Sequence, residues 1–316
     1  MTHKILVSDG LAEEGLQVLR TVGEVTVNPK ITADELIAAL PDYHALVVRS
    51  RTKVTAKVIE AGKNLVVVGR AGVGVDNIDV AAAAQRHIVV VNSPMAASVA
   101  VAEHTFGLLL ALARLIPAAD ASMKRGQWEK SAFMGNELSG KTLGLLGLGR
   151  IGAMVAGRAV AFGMMVMAYD PYLTEHQISE RNASPERFEN VLAGSDYISL
   201  HLTLTKETRG LIGPAEFAKM KKGTRLICAA RGGVVDETAL RAALDSGHLA
   251  GAALDVFAEE PPPPDSIATH PKVIATPHVG AQTAEAQARA GVAIAEEVVT
   301  VLQGKEPRWR VLPDDA

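Results

Sequence analysis

Three polar residues stand where the oxidation of an alcohol would need them. Arg231 lies in CAARGGVVDE, Glu260 in DVFAEEP and His278 in TPHVGAQT, and each follows a short apolar run. Taking the hydroxyl proton from an alcohol requires a base and the reverse step an acid; an imidazole that titrates near neutrality serves as both. His278 is the candidate for that role. A carboxylate beside an imidazole holds its tautomer, and a guanidinium grips a substrate carboxylate through two parallel hydrogen bonds, so Glu260 and Arg231 complete the set. Taken singly, the three also read as a core histidine, a solvated loop acid and an ion-pair partner.

A second pattern concerns a cofactor. Gly147, Gly149 and Gly152 form GLGRIG between the apolar run KTLGLL and the helical pattern GAMVAGRAVAFG. A strand turns sharply at the first glycine of such a motif, a pyrophosphate approaches the backbone at the second, and helix packs on strand at the third. The next apolar run, MVMAYD, ends in Asp170, 18 residues after Gly152. That offset is near the roughly 20 expected for an acid that hydrogen-bonds an adenosine ribose. A carboxylate there repels the extra phosphate of NADP, so NAD is expected. No GxxxxGK followed by Ser or Thr occurs, and a nucleoside-triphosphate P-loop is not supported.

The elements that must position these groups read as alternating strands and helices. KILVSD, ALVVRS, LVVVGR and HIVVVN come first, then KTLGLLG, MVMAYD, YISLHL, TRLICAA, GAALDV and KVIATP. Continuous apolar runs are buried on both faces, and amphipathic segments between them supply crossovers, so parallel sheets covered by helices are expected. The series starts at Lys4 and again at Lys141, with a helix-rich stretch from Ser98 to about Arg125 between. Two doubly wound α/β domains follow from that. Thr32 and Glu35 predict a capping box ahead of Leu36, and an Ala-rich pattern predicts a terminal helix over about 283–303 that could fold back on the first domain. Pro261 to Pro264 suit a stiff surface connection.

Composition narrows the rest. The 316 residues carry 32 Lys+Arg against 35 Asp+Glu, a net charge of −3 scattered along the chain, so neither nucleic acid nor an anionic membrane is an expected partner. The most apolar stretch, Val99 to Ala119, is interrupted by Glu103, His104 and Arg114 and reads as a buried helix rather than a membrane span. The N-terminus lacks the pattern of a secretory signal. Cys228 is the single cysteine, which excludes an intrachain disulfide and a cysteine metal cluster and fits a reducing compartment; the cytoplasm is expected, with no bound metal.

GLGRIG, ARGGVVDE, ALDVFAEEP and TPHVGA, in this order, resemble the signatures of the D-isomer-specific 2-hydroxyacid dehydrogenases, and the resemblance covers nearly the whole chain. It implies that Arg231 binds the substrate carboxyl and carbonyl, Glu260 orients His278, and His278 shuttles the proton. It implies cofactor contacts at Arg150, Ile151, Asp170, Thr203 and Asp255 beside the glycines. It also implies a Rossmann nucleotide domain over 98–281 and a smaller flavodoxin-like substrate domain from 1–97 and 282–316. Within the family, VVRSRTKVT, GRAGVGVDNID, IPAADASMKRGQWEK and NELSGKTLGLLGLGRIG are most similar to the branch that oxidises D-3-phosphoglycerate. That likeness places Arg49, Ser50 and the loop Ala71, Gly72, Val73 and Gly74 toward the substrate, with Lys130 reaching a phosphate across a subunit boundary. Backbone N–H groups of a glycine-bearing loop suit a carboxylate, and cations suit a phosphate.

The family's usual dimers imply a homodimer or homotetramer, with Trp128 and the helix from Val99 to Leu115 facing a second subunit. Related enzymes that reduce glyoxylate or hydroxypyruvate share the chemistry without a phosphate to grip, and dinucleotide-sensing corepressors share the fold. The chain departs from the family pattern at Ala97, where asparagine is frequent, at Thr203, a proline position, and at Cys228, an asparagine position. It ends soon after the terminal helix, which predicts a short form lacking a serine-binding regulatory domain.

Overall fold

The computed structural model describes residues 2–313, and the chain divides into two compact units, Met1–Ser98 with Ala281–Ala316, and Val99–Gly280. The first unit opens with β1 (His3–Val7), α1 (Glu13–Arg20), β2 (Gly23–Val27), α2 (Ala33–Ala39), β3 (Ala45–Val48), α3 (Ala56–Ala61), β4 (Val67–Arg70), α4 (Val80–Gln85) and β5 (Val89–Asn92). The capping box of α2 is present. The Thr32 hydroxyl accepts the Glu35 N–H at 3.3 Å, while the Glu35 carboxylate accepts the Thr32 N–H at 2.8 Å. The strand β2, GEVTV, has no counterpart in the sequence reading. It pairs with β1 at the sheet edge and is largely exposed, so its residues lack the continuous apolar character by which ten of the other strands are recognised.

The second unit runs through α5 (Ser98–Arg114), whose first residue belongs to the other unit, α6 (Ile116–Lys124), β6 (Thr142–Leu146), α7 (Arg150–Ala161), β7 (Met165–Tyr169), α8 (Glu175–Ser179) and β8 (Ser184–Pro185). It continues with α9 (Phe188–Gly194), β9 (Tyr197–Leu200), α10 (Pro214–Lys219), β10 (Arg225–Cys228), α11 (Glu237–Asp245), β11 (Gly251–Leu254) and β12 (Val273–Ala275). The helix-rich stretch breaks at Leu115, which takes φ 53, and its two helices are bent by 66°. Pro117 has no N–H to give the Ala113 carbonyl four residues back; the Asn136 N–H takes that carbonyl instead, at 2.8 Å. No single described helix is long and apolar enough to cross a membrane.

The chain then returns to the first unit with α12 (Ala284–Leu302), capped by the Thr283 hydroxyl on the Ala286 N–H, and β13 (Arg310–Val311). α12 lies against α1 where two glycines meet: a Cβ on Gly15 would stand 2.5 Å from the Gly291 carbonyl oxygen.

The first sheet has the order β13-β5-β4-β3-β1-β2, parallel except for β13 against β5. Its parallel strands follow the flavodoxin-like order 2-1-3-4-5. The second, β12-β11-β10-β9-β6-β7-β8, is wholly parallel and follows the Rossmann order, extended by one strand. Alternation along each strand divides residues between two cores. In β10, Leu226 and Cys228 enter one and Ile227 the other; in β11, Leu254 and Ala253 divide likewise. Burial on both faces makes these strands apolar throughout and pins their register, since a slip of one residue would exchange the faces. In the second sheet the strand order reverses beside β6, and crossovers leave its two sides in opposite directions there. A crevice at the carboxyl ends of β6 and β9 results.

Candidate active site

The glycine loop occupies that crevice. Gly147, next after β6, takes φ 88 and donates its N–H to the Tyr169 carbonyl at 2.9 Å. A Cβ there would lie 2.5 Å from the His201 carbonyl oxygen, and one on Gly152 would lie 2.5 Å from the Gly147 carbonyl oxygen. Both positions therefore require glycine to bring helix and strand together. Gly149 is different, because a Cβ on it would meet nothing within 4 Å. It caps α7 without any side-chain hydrogen bond, so the first N–H groups of that helix, around Arg150 and Ile151, have no side-chain acceptor from their cap residue. Open space and outward N–H dipoles fit the pyrophosphate of a dinucleotide. Beneath the loop His201 is half-buried and bonded to the Ser199 hydroxyl at 3.0 Å; desolvation pushes its pKa down to about 4, which keeps it neutral.

Asp170 closes one side of the loop. Its Oδ2 accepts the Leu148 N–H at 2.8 Å and its Oδ1 the Tyr172 N–H at 3.0 Å. Each carboxylate oxygen has a second lone pair, so ribose hydroxyls can still be accepted. Thr203, beyond β9, enters the hydrogen bonding through its carbonyl, which accepts the Thr208 hydroxyl at 2.6 Å.

The three residues singled out for proton chemistry follow adjacent parallel strands, Arg231 after β10, Glu260 after β11 and His278 after β12. His278 Nδ1 lies 2.8 Å from Glu260 Oε2, and both side chains are partly open to solvent. The other carboxylate oxygen of Glu260 accepts the Phe257 N–H at 3.2 Å, which fixes the plane it presents to the imidazole. With Nδ1–H donated to the Glu260 carboxylate, His278 Nε2 is the nitrogen able to accept a proton. The Arg231 loop is pressed against the Glu260 loop: a Cβ on Gly232 would overlap the Phe257 carbonyl. The Arg231 guanidinium donates to the Ala230 carbonyl at 2.8 Å.

His278 takes φ 52, a left-handed conformation that costs a residue with a side chain about 1 kcal/mol. The backbone beyond it is held by Asp255, a carboxylate 1% exposed at the end of β11. Asp255 Oδ1 accepts the Val279 N–H at 2.9 Å and the Thr276 hydroxyl at 2.6 Å; Oδ2 accepts the Gly280 N–H at 2.8 Å. His104 Nε2, from α5, stands 3.3 Å from Oδ1 and 3.1 Å from the Thr276 hydroxyl oxygen. Burial opposes ionisation of Asp255, but the bonds from His104, Thr276, Val279 and Gly280 together outweigh it and hold the carboxyl below its ordinary 3.8. Read from sequence as a cofactor contact, Asp255 is in this structure bonded to the loop that carries His278. Gly232, Thr276 and His104 were not singled out from sequence. The signal for His104 is a polar side chain in a helix whose other polar residues are Ser98, Glu103, Thr105 and Arg114.

In the first unit, Arg49 and Ser50 follow β3, and Ala71, Gly72, Val73 and Gly74 follow β4, its neighbour. The Arg49 N–H donates to Asp9 Oδ2 at 2.7 Å, and its guanidinium donates to Gln282 Oε1 at 3.1 Å. Burial lowers the Arg49 pKa, an effect that nearby Asp9 opposes. The Gly72 N–H donates to the Ser93 hydroxyl at 2.7 Å, and the Val73 carbonyl accepts the Asn92 amide at 2.6 Å. Lys130, in the second unit, is exposed in a short 3₁₀ turn, Lys130–Phe133, just after the 80%-exposed Trp128. Among the described residues no group of three or more His, Cys, Asp or Glu side chains could hold a metal ion.

A family model for the D-isomer specific 2-hydroxyacid dehydrogenase, NAD binding domain, matches residues 106–280. The D-3-phosphoglycerate dehydrogenase of Archaeoglobus fulgidus is 50% identical over 303 residues, which cover 95% of this chain and 58% of that protein. The chain thus spans little more than half the length of the curated relatives it matches. Among solved structures, the TT0316 protein from Thermus thermophilus superposes with a TM-score of 0.89 at 35% identity, covering 98% of this chain and all of that one. An NAD-dependent formate dehydrogenase from Staphylococcus aureus, in complex with NAD, gives 0.87 at 30% identity over 98% and 99% of the two chains.

Proposed function

The chain belongs to the D-isomer specific 2-hydroxyacid dehydrogenase family, and from that membership we propose that it oxidises D-3-phosphoglycerate to 3-phosphohydroxypyruvate with NAD, the first step of serine synthesis. The observation that carries the reading is the 2.8 Å bond from His278 Nδ1 to Glu260, on the strand end next to Arg231. Bound NAD supplies the two-electron acceptor for the C2 carbon. Arg231 holds the substrate carboxylate by paired N–H bonds. Neutral His278 takes the hydroxyl proton at Nε2, and the Glu260 carboxylate stabilises the imidazolium that forms. Gly149 and the first N–H groups of α7 receive the pyrophosphate, and Asp170 the ribose. Arg49, Ser50 and the 71–74 loop bind the rest of the substrate, with Lys130 on its phosphate.

We assign the enzyme to the cytoplasm and to a homodimer or homotetramer. Ile116, Met123, Trp128 and Met134 leave apolar surface exposed that a second copy would cover. The test is an assay of the purified protein with NAD and a panel of 2-hydroxy acids, phosphorylated and not. D-3-phosphoglycerate is expected to be the best substrate, and His278→Ala to lower turnover by at least about 100-fold while NAD still binds. Lys130→Ala should raise KM for the phosphorylated substrate alone; an equal rise for unphosphorylated acids would favour a glyoxylate or hydroxypyruvate reductase instead. Absence of turnover on the whole panel would leave a dinucleotide-binding protein.

A further inference from the structure

We infer that His104 is a positioning residue, which sets the backbone conformation of His278 through Thr276 and Asp255. Thr276 has one hydroxyl proton, and its 2.6 Å bond to Asp255 Oδ1 uses it. The Thr276 oxygen is therefore an acceptor toward His104, and the Nε2 atom at 3.1 Å must carry a proton. Neutral His104 is thereby confined to one tautomer. Its N–H lies against Thr276 Oγ1 and Asp255 Oδ1 together, and α5 reaches the first of these from a position 172 residues away in the chain.

Those two acceptors lie on either side of His278. Thr276 stands two residues before it and accepts the His278 N–H on its carbonyl at 3.0 Å, while Asp255 binds the N–H groups of Val279 and Gly280 just after it. The bracketed residue is the one at φ 52. A left-handed histidine persists only where its surroundings over-determine it, and His104 adds the constraint that lies outside the loop. Packing agrees, because a Cβ on Gly280 would stand 3.0 Å from Asp255 Oδ2 and 3.7 Å from His104 Cδ2. Loss of the His104 donor removes the bond that the Thr276 hydroxyl accepts and one contact on Oδ1, leaving Asp255 held by Thr276, Val279 and Gly280 alone; the loop that directs His278 Nδ1 onto Glu260 is then less tightly fixed. Displacement of a reacting group by about 1 Å lowers rate on the order of 100-fold. The catalytic consequence rests on the dehydrogenase reading; the structural one does not.

The experiment compares His104→Leu, which removes the donor, with His104→Gln, whose amide nitrogen can take the place of Nε2. The readouts are kcat on D-3-phosphoglycerate, KM for NAD, and amide hydrogen exchange at Val279 and Gly280 by NMR. In His104→Leu, kcat is expected to fall at least about tenfold with KM for NAD within about twofold, and both amides to exchange at least about tenfold faster. His104→Gln should recover most of each. Equal impairment in the two variants, or unchanged exchange in His104→Leu, would overturn the inference. If no 2-hydroxy acid is turned over, the functional reading fails, and exchange at the two amides still decides the role of His104. Should His104→Leu not fold, failure of His104→Gln to retain native exchange at both amides overturns it.

Discussion

Asp255→Asn separates the charge of the buried carboxylate from its shape. Oδ1 can remain a carbonyl and keep the Thr276 hydroxyl and Val279 N–H, but the new amide nitrogen then meets the Gly280 N–H, donor against donor, where Oδ2 had accepted at 2.8 Å. One buried N–H left unpaired costs about 1–3 kcal/mol, and the surviving bonds lose roughly half their strength on becoming neutral. The sum is a loss of about 3 kcal/mol, enough to release the roughly 1 kcal/mol stored in the left-handed His278 backbone. The pH dependence has a definite sign. Because the folded carboxyl titrates below 3.8, its contribution is fully present above pH 3.8 and disappears as pH falls through the folded value. Urea unfolding followed by circular dichroism, at pH 7 and at steps below pH 4, should show the variant less stable by about 3 kcal/mol at pH 7 and the gap closing in acid. A gap under about 0.5 kcal/mol at pH 7, the scatter of ordinary surface substitutions, or one that stays constant into acid, would refute the reasoning.

Three further outcomes are expected. Gly232→Ala places a methyl into the Phe257 carbonyl; the loops of Arg231 and Glu260 must separate, and kcat/KM for the 2-hydroxy acid should fall at least about tenfold, with a stability loss of about 1–3 kcal/mol by denaturation. Asp170→Ala removes both the ribose acceptor and the partner of the Leu148 N–H, so calorimetric Kd for NAD should rise about tenfold with a smaller change for NADP; equal changes for the two would contradict that placement. Burial pushes the Cys228 thiol up to about 11, so it should resist Ellman's reagent at pH 8 in the native protein and react on unfolding in urea. Rapid labelling of the folded chain would disprove its burial.

The strand pattern shows how far local reading reaches. All ten apolar runs named from the sequence are strands, since a strand buried on both faces has to be apolar along its length; β12, an edge strand without a fully buried residue, is apolar without that reason. The exceptions, β2, β8 and β13, are short or largely exposed edge strands that carry no such mark. GLGRIG was readable for a steric reason that is equally local: Gly147 and Gly152 approach backbone oxygens at distances no Cβ allows. Gly232 obeys the same rule, but its obstacle is the carbonyl of Phe257 on another strand end, and nothing near it in the chain announces that.

Residue types and their order in the chain thus identified an imidazole, a carboxylate and a guanidinium suited to one reaction, and a loop suited to a dinucleotide, since side-chain chemistry and glycine sterics act at short range. The meeting of His278 with Glu260 depends on β11 lying beside β12, and so on sheet order. The burial of Asp255, the left-handed turn at His278 and the reach of His104 to Thr276 likewise exist only once the sheet has formed. These contacts join residues far apart in sequence, and the force that joins them is the burial of both sheet faces, which no local pattern contains.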